Sequence, residues 1–118
     1  MSDEKIKIFF DRDGYILFPD GSRYKGGLRN GMPDGEGRIV YADETSYDGE
    51  WLNGNSNGFG IMMMTDGSCY KGYWKRGRYQ GVGELTLRNG ARYDGEWLEG
   101  QYHGEGTFRW PDGSTYKG

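Results

Sequence analysis

The stretch YDGEWLEGQYHGEG, Tyr93–Gly106, carries the pattern that decides the fold of this 118-residue chain. Tyrosine, glycine and tryptophan alternate at its start, and a period of two is typical of a β-strand. A similar order of residues recurs every 23 residues, with the leading tyrosines at Tyr24, Tyr47, Tyr70, Tyr93 and Tyr116. Repetition at one fixed period indicates a repeat architecture in which every unit follows the same backbone path.

The glycines keep to the same frame. With each leading tyrosine as position one, all of the 23 glycines except Gly27 fall at positions three, eight, twelve, fourteen or twenty-one. Position eight predicts a turn, and position twelve is predicted to begin the second strand of the unit. An Asp-Gly or Asn-Gly pair such as Asp66-Gly67 then closes the unit with a turn that needs a positive φ. Glu44 stands where one of these glycines is expected, so we expect the turn after Tyr41 to depart from the others.

Strand parity assigns side chains to faces. Residues opposite each other across a hairpin share a face of the sheet, and Pro19 and Pro111 favour closing turns with an odd number of residues. The tyrosine and tryptophan then share a face with positions twelve, fourteen, sixteen and eighteen, and each ring lies flat on glycine backbone. The sequence predicts an all-β fold, an elongated single-layer antiparallel sheet that forms a solenoid of consecutive β-hairpins.

Two segments are predicted along the chain. Residues 1–23 form an N-terminal capping segment with a half repeat, in which the apolar run Ile6–Phe10 pairs as a cap. Residues 24–118 contain four full repeats and the first three residues of a fifth.

Composition argues against several classes of function. A net charge of −3 is too mild for a nucleic-acid-binding protein, which needs a strongly basic face. Cys69 is the single cysteine and so forms no internal disulfide, and the charged start of the chain does not resemble a signal peptide. We therefore expect an intracellular protein.

The residues that most resemble a catalytic or metal site lack partners in the pattern. His103 precedes Gly104 in a predicted loop, and its counterparts Asp34, Asn57 and Gln80 share polarity without making a ligand set. The Asp-Gly pairs are a whole repeat apart, which favours turn formation over calcium binding. We expect no enzyme activity, no catalytic residue, no metal and no cofactor.

The stretch Tyr93–Gly106 and the tail Trp110–Gly113 resemble a complete MORN (membrane occupation and recognition nexus) repeat, and the resemblance extends over about Gly14 to Gly118. Leu28 in place of tryptophan and Met32–Asp34 in the first loop depart from the pattern. The resemblance implies a scaffold or adaptor module that mediates protein–protein assembly at a cytoskeletal, ciliary or membrane-associated structure. Two alternatives stay open: a peripheral phospholipid-binding module for phosphoinositides, and a regulatory arm of a larger enzyme such as a lysine methyltransferase or phosphoinositide kinase.

Three surfaces are candidates for binding. An apolar patch on the face opposite the rings would contact a protein partner or a second copy, unless the segment Ile6–Phe10 folds over it; its residues are Phe59, Ile61, Met63, Tyr73 and Val82. An aromatic groove would accept an amphipathic helix, unless its rings are used to pack hairpins together; its residues are Tyr47, Trp51, Tyr70, Trp74, Tyr93 and Trp97. A cationic group would contact anionic lipid weakly, unless it is only a solvated loop; its residues are Lys71, Lys75, Arg76 and Arg78.

Overall fold

The computed structural model describes residues 9–118, which form one open antiparallel sheet of 11 strands ordered as they follow in the chain. The sheet is elongated, with principal extents of 61 × 24 × 21 Å. The predicted fold class is confirmed. The strands are β1 Phe9–Phe10, β2 Ile16–Leu17, β3 Arg23–Arg29, β4 Met32–Val40, β5 Ser46–Leu52, β6 Asn55–Met63, β7 Cys69–Lys75, β8 Arg78–Thr86, β9 Arg92–Leu98, β10 Gln101–Arg109 and β11 Thr115–Lys117.

The closing turns contain three residues, as the parity argument requires. In the turn between β6 and β7, the N–H of Met64 donates to the carbonyl of Ser68 at 2.8 Å and that of Gly67 donates back to Met64 at 3.1 Å. Gly67 has φ 94°. The Asp66 carboxylate accepts the Ser68 N–H at 2.8 Å, and this bond holds the pKa of Asp66 below its usual value. Turn formation thus accounts for the recurring Asp-Gly pair.

The expectation that Glu44 disturbs its turn is wrong. The N–H of Tyr41 donates to Thr45 and that of Glu44 donates to Tyr41, at 2.8 and 2.9 Å, the same pattern as in the glycine-containing turns. Glu44 adopts φ 74°, a left-handed conformation that is unfavourable for a residue with a Cβ. The flanking strands therefore impose the turn despite the local sequence.

The second strand of each unit begins earlier than predicted, directly after the position-eight glycine. In the hairpin of β5 and β6, the two-residue turn Asn53-Gly54 has positive φ at both residues, 51° and 84°, which identifies a type I′ turn. Gly58, at position twelve, does not begin the strand. It lies within it at φ 97°, in a bulge between the paired residues Trp51–Ser56 and Gly49–Gly60.

The N-terminal end is only partly described. Phe9–Phe10 pairs antiparallel with Ile16–Leu17, at the edge of the sheet beyond β3. The rest of the predicted cap, Ile6–Ile8, lies outside the described residues, so the capping role of residues 1–23 stays a prediction.

Candidate functional site

The inner face of the sheet carries the core, a row of tyrosines and tryptophans. Each ring of the row is less than 10% exposed and stands edge-on to its neighbours: the Tyr47 centroid lies 5.0 Å from Trp51 and 5.1 Å from Trp74, at interplanar angles of 88° and 83°. The hypothesis of an open aromatic groove is corrected by this burial, since the rings pack one hairpin against the next. The six residues concerned are Tyr47, Trp51, Tyr70, Trp74, Tyr93 and Trp97.

Each core ring is also fixed by its polar atom. The indole N–H of Trp74 donates to the carbonyl of Gly60 in the preceding unit at 3.1 Å, and Trp51 and Trp97 make the equivalent bond. The Tyr70 hydroxyl donates to the carbonyl of Tyr73 at 2.9 Å. Because both kinds of donor are satisfied, the core accommodates polar aromatics without an energetic penalty for unpaired groups.

Sequence reasoning missed a further ring in the core. Tyr79, which follows Arg78 of the cationic group in the sequence, turns inward and stacks on Tyr70 with centroids 3.8 Å apart and an interplanar angle of 9°. The alternation of side chains along the strand could have revealed this position. Because the second strand begins at position nine, the side chain at position ten points to the inner face. Ser56 occupies the same position one unit earlier and is also buried.

The polar residues before the position-twelve glycines connect neighbouring hairpins. The side-chain oxygen of Asp34 accepts the N–H of Asn53, and that of Gln80 accepts the N–H of Glu99, at 3.2 and 3.3 Å. His103 has the equivalent position, but in strand β10 and not in a loop as expected. Cys69 is partly buried, and this burial raises the pKa of its thiol, which disfavours the reactive thiolate.

The outer face brings the predicted apolar patch together. Phe59 and Tyr73 are cross-strand partners, and their rings meet edge-on with centroids 5.6 Å apart. Met63 is paired with Cys69 on the same strands, and Val82 follows the bulge opposite Tyr73 on β8. Phe59, Met63, Tyr73 and Val82 are 39%, 46%, 51% and 59% exposed, and Ile61 is partly exposed. We call Phe59, Ile61, Met63, Tyr73 and Val82 the outer patch.

A backbone bulge lies within the outer patch. In two other hairpins a glutamate carboxylate accepts a backbone N–H of the bulged strand. Glu50 accepts the N–H of Phe59 at 2.8 Å, and Glu96 accepts that of Glu105 at 2.9 Å. Tyr73 occupies the equivalent position in the hairpin of β7 and β8, opposite the bulge before Val82. At this position the hairpin of β7 and β8 therefore has an exposed ring, whereas the hairpins on either side of it have a carboxylate that bonds to the backbone.

The predicted cationic group is divided by the structure. Lys75, Arg76 and Arg78 surround one open cavity of about 440 Å³ at the tip of the hairpin of β7 and β8, together with Gln80, Leu98 and Glu99. Lys71 lies further along β7, opposite Glu84 and Ile61. Three of the four predicted cations are thus brought together.

Residues 9–118 show no cluster of three or more His, Cys, Asp or Glu side chains arranged to hold a metal ion. Within the same residues, no helix has the length and hydrophobicity needed to cross a bilayer.

The fold and its surfaces define a β-hairpin repeat protein. The profile of the MORN repeat matches four consecutive units, residues 24–46, 47–69, 70–92 and 93–115, and the chain belongs to the MORN repeat family. A search of curated protein sequences gave no match. Among solved structures, the chain is similar to the TCP domain of SAS-4 (dCPAP) of Drosophila melanogaster, in complex with a proline-rich motif of Ana2 (dSTIL). That match has 14% identity and a TM-score of 0.27, and covers 94% of this chain and 88% of the other.

Proposed function

We propose that the chain is a non-enzymatic scaffold or adaptor module that binds a protein partner, or a second copy of itself, through the outer patch. The observation that carries the proposal is the contact between Phe59 and Tyr73, two large rings that touch each other and still expose 39% and 51% of their surface. Exposed apolar groups clustered on one face are typical of contact sites.

The position of the patch within the repeats supports the same function. Its counterparts on the outer face of other units are charged, such as Glu36 and Glu105 at the position of Val82. The inner face has a different task, since its rings form the core. Binding through the outer face would leave the packing between hairpins intact, which suits a rigid module that holds partners in place.

The described part of the N-terminal segment lies away from the patch. Phe9–Phe10 is in the first strand of the sheet, whereas Phe59 is in the sixth. This placement favours a free patch over one covered by Phe9–Phe10. We propose that the chain is localised to a cytoskeletal, ciliary or membrane-associated structure inside the cell. This proposal rests on the family alone.

Substitution of Ile61 by Glu tests the proposal, with Thr107→Glu as its matched control. Thr107 has the position equivalent to Ile61 two units later, so both variants add one charge to the same face. Capture from the cells that make the protein, together with light scattering of the purified chain, would report partner and self association. We expect Ile61→Glu to abolish association and Thr107→Glu to preserve it. Equal association of both variants would remove the patch from the function.

A second candidate function, weak binding of phosphoinositides, is favoured by the cavity that Lys75, Arg76 and Arg78 share. Each cation near an anionic surface contributes about 1 kcal/mol. Flotation with vesicles that contain phosphoinositides tests it, since replacing all three cations by glutamine should eliminate binding. Flotation that persists in this variant would contradict a lipid site at the cavity. The regulatory-arm alternative stays a prediction, which the enzyme content of the captured material would test.

A further inference from the structure

The hairpin of β7 and β8, which carries Tyr73 and Val82 of the outer patch, is also the most cationic part of the molecule. Residues 69–86 contain four cations, Lys71, Lys75, Arg76 and Arg78, against one carboxylate, Glu84, a net charge of +3 within a chain of net charge −3. The neighbouring hairpins 46–63 and 92–109 each have a net charge of −2. Charge therefore changes sign within the outer patch, between β6 and β7.

The cations and the patch share one face of β7. Lys71, Tyr73 and Lys75 alternate with buried residues and are all exposed, so Tyr73 lies between two lysines on this face of the strand. Lys71 has Glu84 directly opposite on β8. Lys75 has Arg78 opposite, and like charges that face each other across a strand pair are destabilising. A bound anion would relieve this repulsion.

Two carboxylates of the repeat are replaced at this hairpin. Tyr73 has the position of Glu50 and Glu96, and Val82 has the position of Glu36 and Glu105. On the neighbouring hairpins those glutamates would repel an acidic ligand. The two replacements add exposed apolar surface to the hairpin of β7 and β8 and remove two carboxylates from it, while the Glu50 carboxylate stays beside Phe59, bonded to its N–H.

We propose that the partner of the outer patch is an acidic polypeptide segment with large apolar side chains. Its apolar groups cover Phe59, Tyr73 and Val82, and its carboxylates bind Lys75 and Arg78. The inference rests on the proposed function and adds the chemistry of the partner, because complementary charge at the rim selects among ligands that would all fit an apolar surface.

Selection of displayed random dodecapeptides on the full chain tests the inference. Peptides retained by the wild type and lost on Tyr73→Glu would be sequenced, synthesised and measured by fluorescence anisotropy at physiological ionic strength, where the Debye length is about 8 Å. We expect them to be rich in Asp and Glu beside Trp, Phe or Leu. The double variant Lys75→Glu/Arg78→Glu should weaken their binding about tenfold or more, since exposed charge pairs are worth up to about 1 kcal/mol each.

The matched control is Arg109→Glu/Lys117→Glu. These exposed residues belong to β10 and β11, and their substitution changes the net charge by the same amount. We expect affinity within about twofold of wild type, because separation beyond a Debye length screens the effect.

The possible outcomes distinguish the proposal of an acidic partner from the proposal that the outer patch is a docking surface. Peptides that depend on Tyr73 but are neutral or basic, or that bind the Lys75→Glu/Arg78→Glu variant as well as wild type, would overturn the acidic partner and leave the docking surface standing. If no retained peptide depends on Tyr73, both proposals fail. Retention by vesicles of phosphatidylserine and phosphatidylcholine, lost on Tyr73→Glu without any such peptide, would assign the surface to a membrane and overturn both.

Discussion

The ring of Tyr70 lies so close to Gly83 that a Cβ added to this glycine would stand 2.1 Å from the phenol oxygen. Gly83→Ala must therefore displace a fully buried ring that also stacks on Tyr79. We expect the free energy of unfolding to fall by about 3 kcal/mol or more, since a displaced core ring loses its burial and its hydrogen bond. Denaturation in urea measures the change.

Gly90→Ala is the control for backbone conformation. Gly90 has φ 94° and open space around it, so alanine there should cost only about 1 to 2 kcal/mol of backbone strain. A loss at Gly83 no larger than the loss at Gly90 would contradict the role of the ring in holding neighbouring strands.

The tryptophans provide an internal comparison by hydrogen exchange. Trp51, Trp74 and Trp97 are buried and donate their indole N–H to a backbone carbonyl, whereas Trp110 is 43% exposed. We expect the indole protons of the first three to exchange more slowly than that of Trp110 by about tenfold or more, because their exchange requires local opening of the sheet. Exchange followed by NMR would measure this, and four similar rates would contradict the inter-unit bond.

Glu44→Gly should stabilise the protein. Glu44 has φ 74° in a turn whose counterparts use glycine, and its ion pair with Arg23, at 3.9 Å, joins two exposed side chains. Such a pair contributes little, so relief of the left-handed conformation should dominate and raise the free energy of unfolding by about 0.5 to 1 kcal/mol. Thermal unfolding of the variant beside Glu44→Ala separates the two effects. Alanine keeps the strain and loses the ion pair, so it should not stabilise, and equal midpoints for both variants would refute the strain.

Much of this fold could be predicted from the sequence because the repeat leaves few degrees of freedom. The frame of glycines around Tyr70 and Trp74 gives the hairpins, and parity gives the face of each ring. The bulge at Gly58 could not be predicted, since a glycine at a strand start and one with positive φ inside a strand look alike in a sequence. Glu50 binds the N–H of Phe59 in this bulge, but the same bulge forms opposite Tyr73, so the carboxylate stabilises the bulge without being its cause.

The candidate site was predictable to a different extent. Alternation along β6 placed Phe59 and Ile61 on the outer face, and the structure brings Tyr73 beside them. Parity assigns Trp74 to a face without showing whether neighbouring rings cover it. Trp74 is buried because its indole ring reaches across to Gly60 of the preceding unit. The alternation of side chains along a strand does not predict this contact.

Alkaline pH should destabilise the fold through its tyrosines. Burial raises the pKa values of Tyr47 and Tyr70 well above that of an unfolded tyrosine, about 10. The folded state thus favours the protonated phenol, and its contribution is complete below pH ~10 and is lost as the pH rises toward the folded pKa. Each such tyrosine lowers the free energy of unfolding by at most about 1.4 kcal/mol per pH unit in this window.

Chemical denaturation at several alkaline pH values would measure the slope. The Tyr70→Phe variant isolates one phenol from other groups that titrate nearby, and its slope should be shallower than that of wild type. Identical slopes in the two proteins would show that Tyr70 does not contribute to alkaline unfolding.

Tyr73→Glu should restore to the hairpin of β7 and β8 the backbone bond that Glu50 makes to Phe59 in the preceding hairpin. The variant loses the contact with the Phe59 ring but gains a charge-assisted bond, so we expect it to be more stable than Tyr73→Ala by about 1 kcal/mol. Urea denaturation of both variants measures the difference, and equal stabilities would mean that the new carboxylate does not reach the Val82 bulge. If the difference is found, the wild-type residue forgoes a bond that its neighbours make, and within the fold its contact with the Phe59 ring offsets that loss. Stability of Tyr73→Glu combined with loss of partner binding would therefore separate the role of Tyr73 in association from any role in folding.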